Sequence, residues 1–299
     1  MLRFDLDEVR EIRGRRPEAI AEAAARRRRR PLLGDDGRLL IVAADHPARG
    51  ALGVGRDPWA MADRAELLRR LAVCLARPGV DGVLATPDVL EDLLLLGALE
   101  GKVVFASMNR GGLQGAAFEL DDRFTAADAG TIAAMGFDGG KMLCRIDPSD
   151  PGSLATLEAC AQAITALAAR ELTAMVEPFM SRVEDGRVRN VLTTEAVIRS
   201  VAITGGLGAT SARTWLKLPV VDDMEAVMAA TTLPTLLLGG DPAAAPTDTL
   251  ARWEKALRVP GVRGLVIGRA LLYPPDGHAE AVVDRLAELV HPAAGAVAG

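Results

Sequence analysis

The chain is predicted to be an α/β protein, a closed (β/α)8 TIM barrel carrying an N-terminal helical extension. Three observations lead there. From residue 39 onward, eight short aliphatic runs alternate with helix-like stretches, and eight strand–helix pairs are what a closed parallel barrel needs. Hydrophobic residues make up 49% of the chain but aromatic ones only 3%. The core must therefore be built from Ala, Val, Leu and Ile, which suits strands buried on both faces beneath Ala/Leu helices. Finally, Gly79-Val80-Asp81-Gly82, Gly136-Phe137-Asp138-Gly139 and Gly261-Val262-Arg263-Gly264 each follow a helical stretch and lead into a strand, a repeated helix stop and strand start. The length of 299 residues fits one barrel, typically about 250 residues, with a leading segment.

Residues 1 to 37 form that segment and 38 to 292 the barrel. In the segment, EAIAEAAA is a strong helix former, followed by five consecutive arginines, Arg26 to Arg30. Such a run can bind phosphate, but here it reads as the solvated face of a helix capping one end of the barrel. The strands follow in order: LLIVAAD (39 to 45), VDGVLAT (80 to 86), KVVFASM (102 to 108), GKMLCRI (140 to 146), TAMVEPF (173 to 179), TWLKLPVV (214 to 221), TLLLGG (235 to 240) and RGLVIGR (263 to 269). Amphipathic stretches such as MADRAELLRRLAVCLARP, SLATLEACAQAITALAAR, TLARWEKALRVP and AEAVVDRLAELVH separate them, with the spacing of helices. An open doubly wound sheet ranks second, because no Gly-x-Gly-x-x-Gly follows the first run and no lone edge strand stands out.

The net charge of -5 offers no general attraction to nucleic acid or to an anionic membrane. Cys74, Cys144 and Cys160 lack metal-ligand spacing and read as small buried residues in a reducing compartment. The start lacks the apolar core of a signal peptide, and LLLLGAL (93 to 99) is too short to span a bilayer. A cytoplasmic protein is expected. The aliphatic stretch VLEDLLLLGAL offers a surface for homo-oligomer formation.

Lysine usage carries the functional signal. Of 35 basic residues 31 are arginine, yet two of the four lysines, Lys141 and Lys217, lie inside apolar runs. A desolvated lysine loses its proton and attacks carbonyls as arginine does not. A single interior lysine more often snorkels or pairs with a carboxylate; two of them, each toward a strand end, point to Schiff-base chemistry. Glu177, between Val176 and Pro178, would be costly to bury alone. Two amines and a carboxylate are also what imine catalysis uses: an attacking amine, a second cation to tune it and a proton carrier. The bland alternative is a buried Lys–Glu–Lys network without a reaction.

In such barrels reactive groups gather where strands end. The first run ends in Asp45 and His46, a candidate proton carrier or hydroxyl ligand followed by a candidate substrate ligand; a helix cap and a structural histidine are the alternatives. The third run leads into SMNRGGLQGAAFELDDRF, a long loop of the kind that forms lids or binding segments, where Arg110 could meet a substrate anion. Gly239 and Gly240 end the seventh run, and Gly268 and Arg269 the eighth. There such barrels cradle phosphate on backbone amides, although tight turns also use glycine. The three histidines are scattered, so no metal set and no cofactor is expected.

With these residues in place the chain resembles the class I (Schiff-base) aldolases of the DeoC/LacD/DhnA type over roughly residues 38 to 291. The carriers are AADHPARG, KMLCRIDPSDPG, MVEPFMS, WLKLPVV, LLLGGDP and GLVIGRALLYP, in a pattern most similar to tagatose-bisphosphate aldolase. The resemblance implies Lys217 as the imine-forming lysine, Glu177 as the acid/base, Lys141 as the second lysine and Asp45 as the acid of the first strand. It matches Gly239, Gly240, Gly268 and Arg269 to phosphate-binding ends. The Lys-Thr motif of deoxyribose-phosphate aldolase is missing, as is the catalytic aromatic hydroxyl of archaeal-type enzymes. The expected activity is reversible, metal-independent aldol cleavage of a phosphorylated keto-sugar or keto-sugar acid. A variant makes Lys141 the nucleophile, and from another class stands a non-catalytic sugar-phosphate-binding barrel.

Overall fold

The structure, a computed structural model, describes residues 5–239, 246–274 and 277–292. Among them nine strands occur: β1 (Leu39–Ala43), β2 (Gly82–Ala85), β3 (Val103–Ser107), β4 (Gly139–Ile146), β5 (Thr173–Glu184), β6 (Arg187–Asn190), β7 (Thr214–Leu218), β8 (Thr235–Leu238) and β9 (Val262–Ile267). All but β6 are parallel and run in the order β4-β3-β2-β1-β9-β8-β7-β5. Pairing of β4 with β5 from Gly139↔Thr173 to Ile146↔Met180 closes the barrel. The eight aliphatic runs are its eight staves. The helices are α1 (Leu6–Arg15), α2 (Glu18–Arg26), α3 (Arg64–Leu75), α4 (Pro87–Leu95), α5 (Ala129–Ala134), α6 (Gly152–Ala168), α7 (Thr194–Gly205), α8 (Met224–Ala229), α9 (Pro246–Leu257), α10 (Arg269–Leu272) and α11 (Ala279–Val290).

Strand periodicity sorts the core into two layers. Leu40, Val42, Val104, Val176 and Leu216 point outward into the layer under the helices. Their neighbours Leu39, Ile41, Val103, Phe105, Met175, Trp215, Leu236 and Val266 fill the barrel interior. Successive strand residues face opposite sides, so each run contributes to both layers and must be apolar throughout. The repeated glycine motif has a steric reason: a Cβ at Gly82 would lie 2.2 Å from the Val103 carbonyl oxygen, and one at Gly139 2.3 Å from that of Thr173. Between those glycines and the helix stops, Asp81 accepts the Leu40 amide at 2.7 Å and Asp138 accepts the Val104 amide at 2.8 Å, each carboxylate capping the start of a preceding strand.

Three expectations are revised. The arginine run is no solvated helix face: α2 ends at Arg26, and the residues beyond it are stitched to the N-terminal end of the barrel. Buried Arg27 donates to the Lys102 and Gly136 carbonyls at 2.7 and 2.6 Å. Arg28 pairs with Glu100, Arg29 with Asp138 and Arg30 with Asp81. Leu32 and Leu33 then pack against the interior layer, stoppering that end. Second, β5 runs past Phe179 to Glu184 and turns back as β6. Asp185 and Gly186 have φ of +50° and +70°, the mirror-image turn that suits a twisted hairpin. Third, VLEDLLLLGAL is no free surface, since Val89, Leu90, Leu93, Leu94, Ala98 and Leu99 are buried in the chain's own outer layer. Among the described residues, no helix is long and apolar enough to cross a membrane.

His291 ties the last helix to the same end. Its Nε2 lies 2.9 Å from Asp81 and its Nδ1 beside Asp36. Hydrogen bonding to Asp81 raises its pKa against the opposing effect of burial, with Asp36 adding to the rise. The imidazolium form is favoured on folding, so this stabilisation is complete below the unfolded value of about 6.5 and lost as pH climbs through the raised folded value. The stability gap between wild type and His291→Gln should accordingly be larger at pH 6 than at pH 9 in urea titrations; equal gaps would contradict the clamp. Replacing Leu32 and Leu33 together by Ala should remove about 2–4 kcal/mol of unfolding free energy, and an unchanged urea midpoint would mean the stopper contributes nothing.

Candidate active site

The same periodicity builds the site. Interior positions continue upward from the apolar layer to Asp45 just beyond β1, Ser107 on β3, Lys141 on β4, Glu177 on β5 and Lys217 on β7, the sixth barrel strand. All five are buried, with exposures of 3, 0, 2, 8 and 4%. Lys217 Nζ lies 2.9 Å from Glu177 Oε1, and Lys141 Nζ contacts the other oxygen, Oε2. Lys141 also reaches Asp45 Oδ2 at 3.2 Å. That oxygen accepts from Ser107 Oγ at 3.2 Å and from Arg110 at 2.6 Å. The result is a chain of alternating charge, Arg110–Asp45–Lys141–Glu177–Lys217, across the C-terminal mouth of the barrel. Three donors converge on Asp45 Oδ2, whereas the His46 Nδ1 stands 3.8 Å from Oδ1.

Pairing decides the protonation states. Burial by itself would raise the Glu177 pKa, but Lys141 and Lys217 outweigh it and bring it down to about 2. Asp45 is likewise held well below the carboxylate range, Lys141 and Arg110 overcoming burial. Lys141 is shifted downward because desolvation prevails over its two carboxylates. His46 keeps 31% of its side chain open, onto the cavity. Desolvation of the rest of the ring, with Arg269 and Lys217 adding repulsion, lowers its pKa to about 3 despite Asp45, which favours the neutral imidazole.

A cavity of about 500 Å³ opens above the chain of charges, with Asp45, His46, Arg110, Lys141, Glu177, Lys217, Gly239, Gly268 and Arg269 in its wall. Of the residues singled out in the sequence, only Gly240 lies outside the described residues. Arg110 is placed differently from the expected substrate ligand: it is buried, and two of its nitrogens are spent on the Asp45 carbonyl and carboxylate. The long loop after β3 is no loose lid. Arg49 donates to the Gly112 and Asn109 carbonyls and pairs with Asp122 at 2.6 Å. Asn109 exchanges two bonds with Leu143, and Arg145 holds Glu119. Gly268 has a packing reason as well: a Cβ there would lie 2.8 Å from the Ala43 carbonyl oxygen.

Sequence reasoning passed over Ser107, although a lone hydroxyl at the end of an apolar run, in step with the interior positions, was a usable signal. It also passed over Asn190 and Leu192, which line the cavity because the hairpin folds over the mouth. Val-Glu-Asp-Gly-Arg-Val (183 to 188) carried the Asp-Gly turn signature. Arg252 and Trp253 of α9 also face the cavity, and nothing in the sequence distinguishes them from helix-surface residues.

Against solved structures, the chain superposes on Cgl0159 from Corynebacterium glutamicum (Brevibacterium flavum) with a TM-score of 0.94, 56% identity and 96% of each chain covered. It also matches the Schiff-base-forming fructose-1,6-bisphosphate aldolase at a TM-score of 0.62 and 21% identity, over 91% of this chain and all of the other. An archaeal fructose-1,6-bisphosphate aldolase with its catalytic lysine bound to a carbinolamine matches at 0.63 and 20%, over 91% of this chain and 99% of the other. At these identities the two aldolases establish a shared fold. No curated protein matches the chain. The sequence profile of the Cgl0159-like family spans residues 37–287, and the chain belongs to that family.

Proposed function

We propose that the chain is a class I aldolase that reversibly cleaves a phosphorylated keto-sugar or keto-sugar acid through an imine on Lys217. The observation that carries this reading is a pair of buried lysines on the two oxygens of one buried glutamate at the mouth of a barrel. A structural role explains it poorly, because buried ion pairs contribute little net stability and perturbed ionisable groups concentrate at reactive sites. The fold shared with Schiff-base aldolases supports it. The order of motifs resembling tagatose-bisphosphate aldolase is compatible with it.

Lys217 is the better nucleophile of the two on geometric grounds. It has one carboxylate partner and can leave it for a substrate carbonyl, whereas Lys141 holds both Asp45 and Glu177, and its departure would take a cation from two buried anions at once. In the proposed cycle, the neutral Lys217 amine adds to the ketone to give a carbinolamine, and loss of water leaves a cationic imine. Glu177 passes protons between amine, carbinolamine hydroxyl and water. The carbon–carbon bond then breaks, its electron pair moving into the iminium to form an enamine, while the hydroxyl that becomes the aldehyde gives up its proton. Asp45 Oδ1, the oxygen left by its three donors, accepts from that hydroxyl. The proton taken up by Asp45 is returned to the enamine carbon, and hydrolysis of the re-formed iminium releases a ketone and restores Lys217.

Borohydride reduction with dihydroxyacetone phosphate, followed by peptide mass mapping, should place the adduct on Lys217. Lys217→Met should abolish trapping and lower kcat at least about 10³-fold, while Lys141→Met should still be trapped, more slowly. An adduct on Lys141 alone would exchange the two roles, and none, or one on Lys102 or Lys255, would end the reading in favour of a non-catalytic barrel. Glu177→Gln should cost about 10²-fold or more in kcat, the usual range for a lost proton carrier. With Glu177 near 2 and His46 near 3, neither side chain should set an acid limb of kcat/KM between pH 5 and 7. A limb there that vanished in His46→Ala would contradict the neutral histidine.

A further inference from the structure

The mouth of the cavity is electrostatically two-sided. On the β8–β9 side stands Arg269, which no carboxylate pairs among the described residues; its Nη1 lies 3.5 Å from the Gly53 carbonyl. Arg252 of α9 adds a second guanidinium on this side. Among the described residues it is held by the Val220 carbonyl at 3.1 Å and by Asp222 at 3.5 Å, a fully exposed carboxylate. On the opposite side, β4, β5 and the hairpin contribute Leu143, Phe179, Asn190 and Leu192. The cations nearest this half are already spent: Arg49 on Asp122, Arg110 on Asp45 and Arg145 on Glu119.

The hairpin's own arginines face elsewhere. Ser181 pairs across the hairpin with Asn190 and Val183 with Val188, and these continue the face of β5 that carries Glu177 and Phe179. Arg182 opposite Arg189, and Glu184 opposite Arg187, form the other face, where Arg182 and Glu184 bond each other at 2.7 Å. Ser181 donates to Asn190 Oδ1 at 3.0 Å, which leaves the amide nitrogen as the polar group offered to the cavity. A phosphate dianion in this half would shed hydration without gaining the charged donors such groups normally meet.

We infer that the substrate carries one phosphate, bound on the Arg269 side, and that the half released against β4, β5 and the hairpin carries none. The substrate class is therefore a ketose or keto-acid monophosphate rather than a bisphosphate. This inference rests on the sugar-phosphate reading of the site, and a binding measurement separates the two. Calorimetric titration of the full chain with a hexitol 1-phosphate and with the hexitol 1,6-bisphosphate, neither able to form an imine, compares the two halves without turnover. The wild type should bind them within tenfold of each other. Asn190→Arg, which places a cation on the neutral side, should shift the ratio at least tenfold toward the bisphosphate. A wild-type preference of tenfold or more for the bisphosphate, or an unmoved ratio in Asn190→Arg, would overturn the inference, and saturable binding of neither compound would remove the sugar-phosphate reading along with it. If Lys217 is trapped by dihydroxyacetone phosphate while the bisphosphate is preferred, the aldolase stands and only the single phosphate falls.

Discussion

Five ionic side chains cross the mouth of this barrel in strict alternation, and each carboxylate lies between two cations. Burying one such charge alone costs several kcal/mol even after relaxation. Removing one cation leaves each neighbouring carboxylate with a single partner, so every link shares in keeping the buried charges balanced. This requirement fixes much around it: Asp45 and Glu177 stay ionised, both amines are held toward the cavity, and Arg110 is drawn inward as the terminal cation. The apolar tiers beneath, from Phe105 and Met175 down to Leu32 and Leu33, keep the lower barrel dry. The charges can therefore be satisfied only by one another or by a ligand entering from above.

Arginine and lysine divide the labour according to their chemistry. At the Lys102, Gly136, Asn109 and Gly112 carbonyls the residue that fastens the backbone is arginine, whose fixed fork reaches two acceptors at once and stays charged when buried. In the proposed reaction, the two buried lysines stand where a nitrogen that can lose its proton is useful. That division is why a sequence nearly devoid of lysine still carries two inside its strands.

Much of the barrel was legible in advance, because each stave is an uninterrupted aliphatic run and the repeated glycines mark places where a Cβ cannot fit. The interior lysines and glutamate were legible for a related reason: a charge inside such a run has few places to go. What could not be read was which charges find each other over long separations. Arg110 looks from sequence like any loop arginine, and only the side-by-side order of β1, β2 and β3 shows that it belongs to Asp45. The arginine run misled in the same way, since composition suggests a free helix face while the carbonyls and carboxylates that hold it lie 51 to 109 residues away. The hairpin was visible in its Asp-Gly turn, but that it shapes the mouth follows from its register with β5.

In the proposed reaction, charge on the Lys217 nitrogen explains why a second lysine shares its glutamate. When the ammonium is exchanged for a protonated imine, the nitrogen remains cationic and Glu177 keeps its partner. When the carbon–carbon bond breaks, the electron pair neutralises that nitrogen, and for the lifetime of the enamine Glu177 would be a buried anion with nothing on Oε1. Lys141 on Oε2 supplies the remaining positive charge, so the carboxylate stays ionised through the enamine stage and remains a base that can take a proton from the water that later hydrolyses the re-formed iminium. Asp45 holds Lys141 from its far side, and Arg110 holds Asp45. The alternation thus confines the change of charge to the single link where the chemistry occurs.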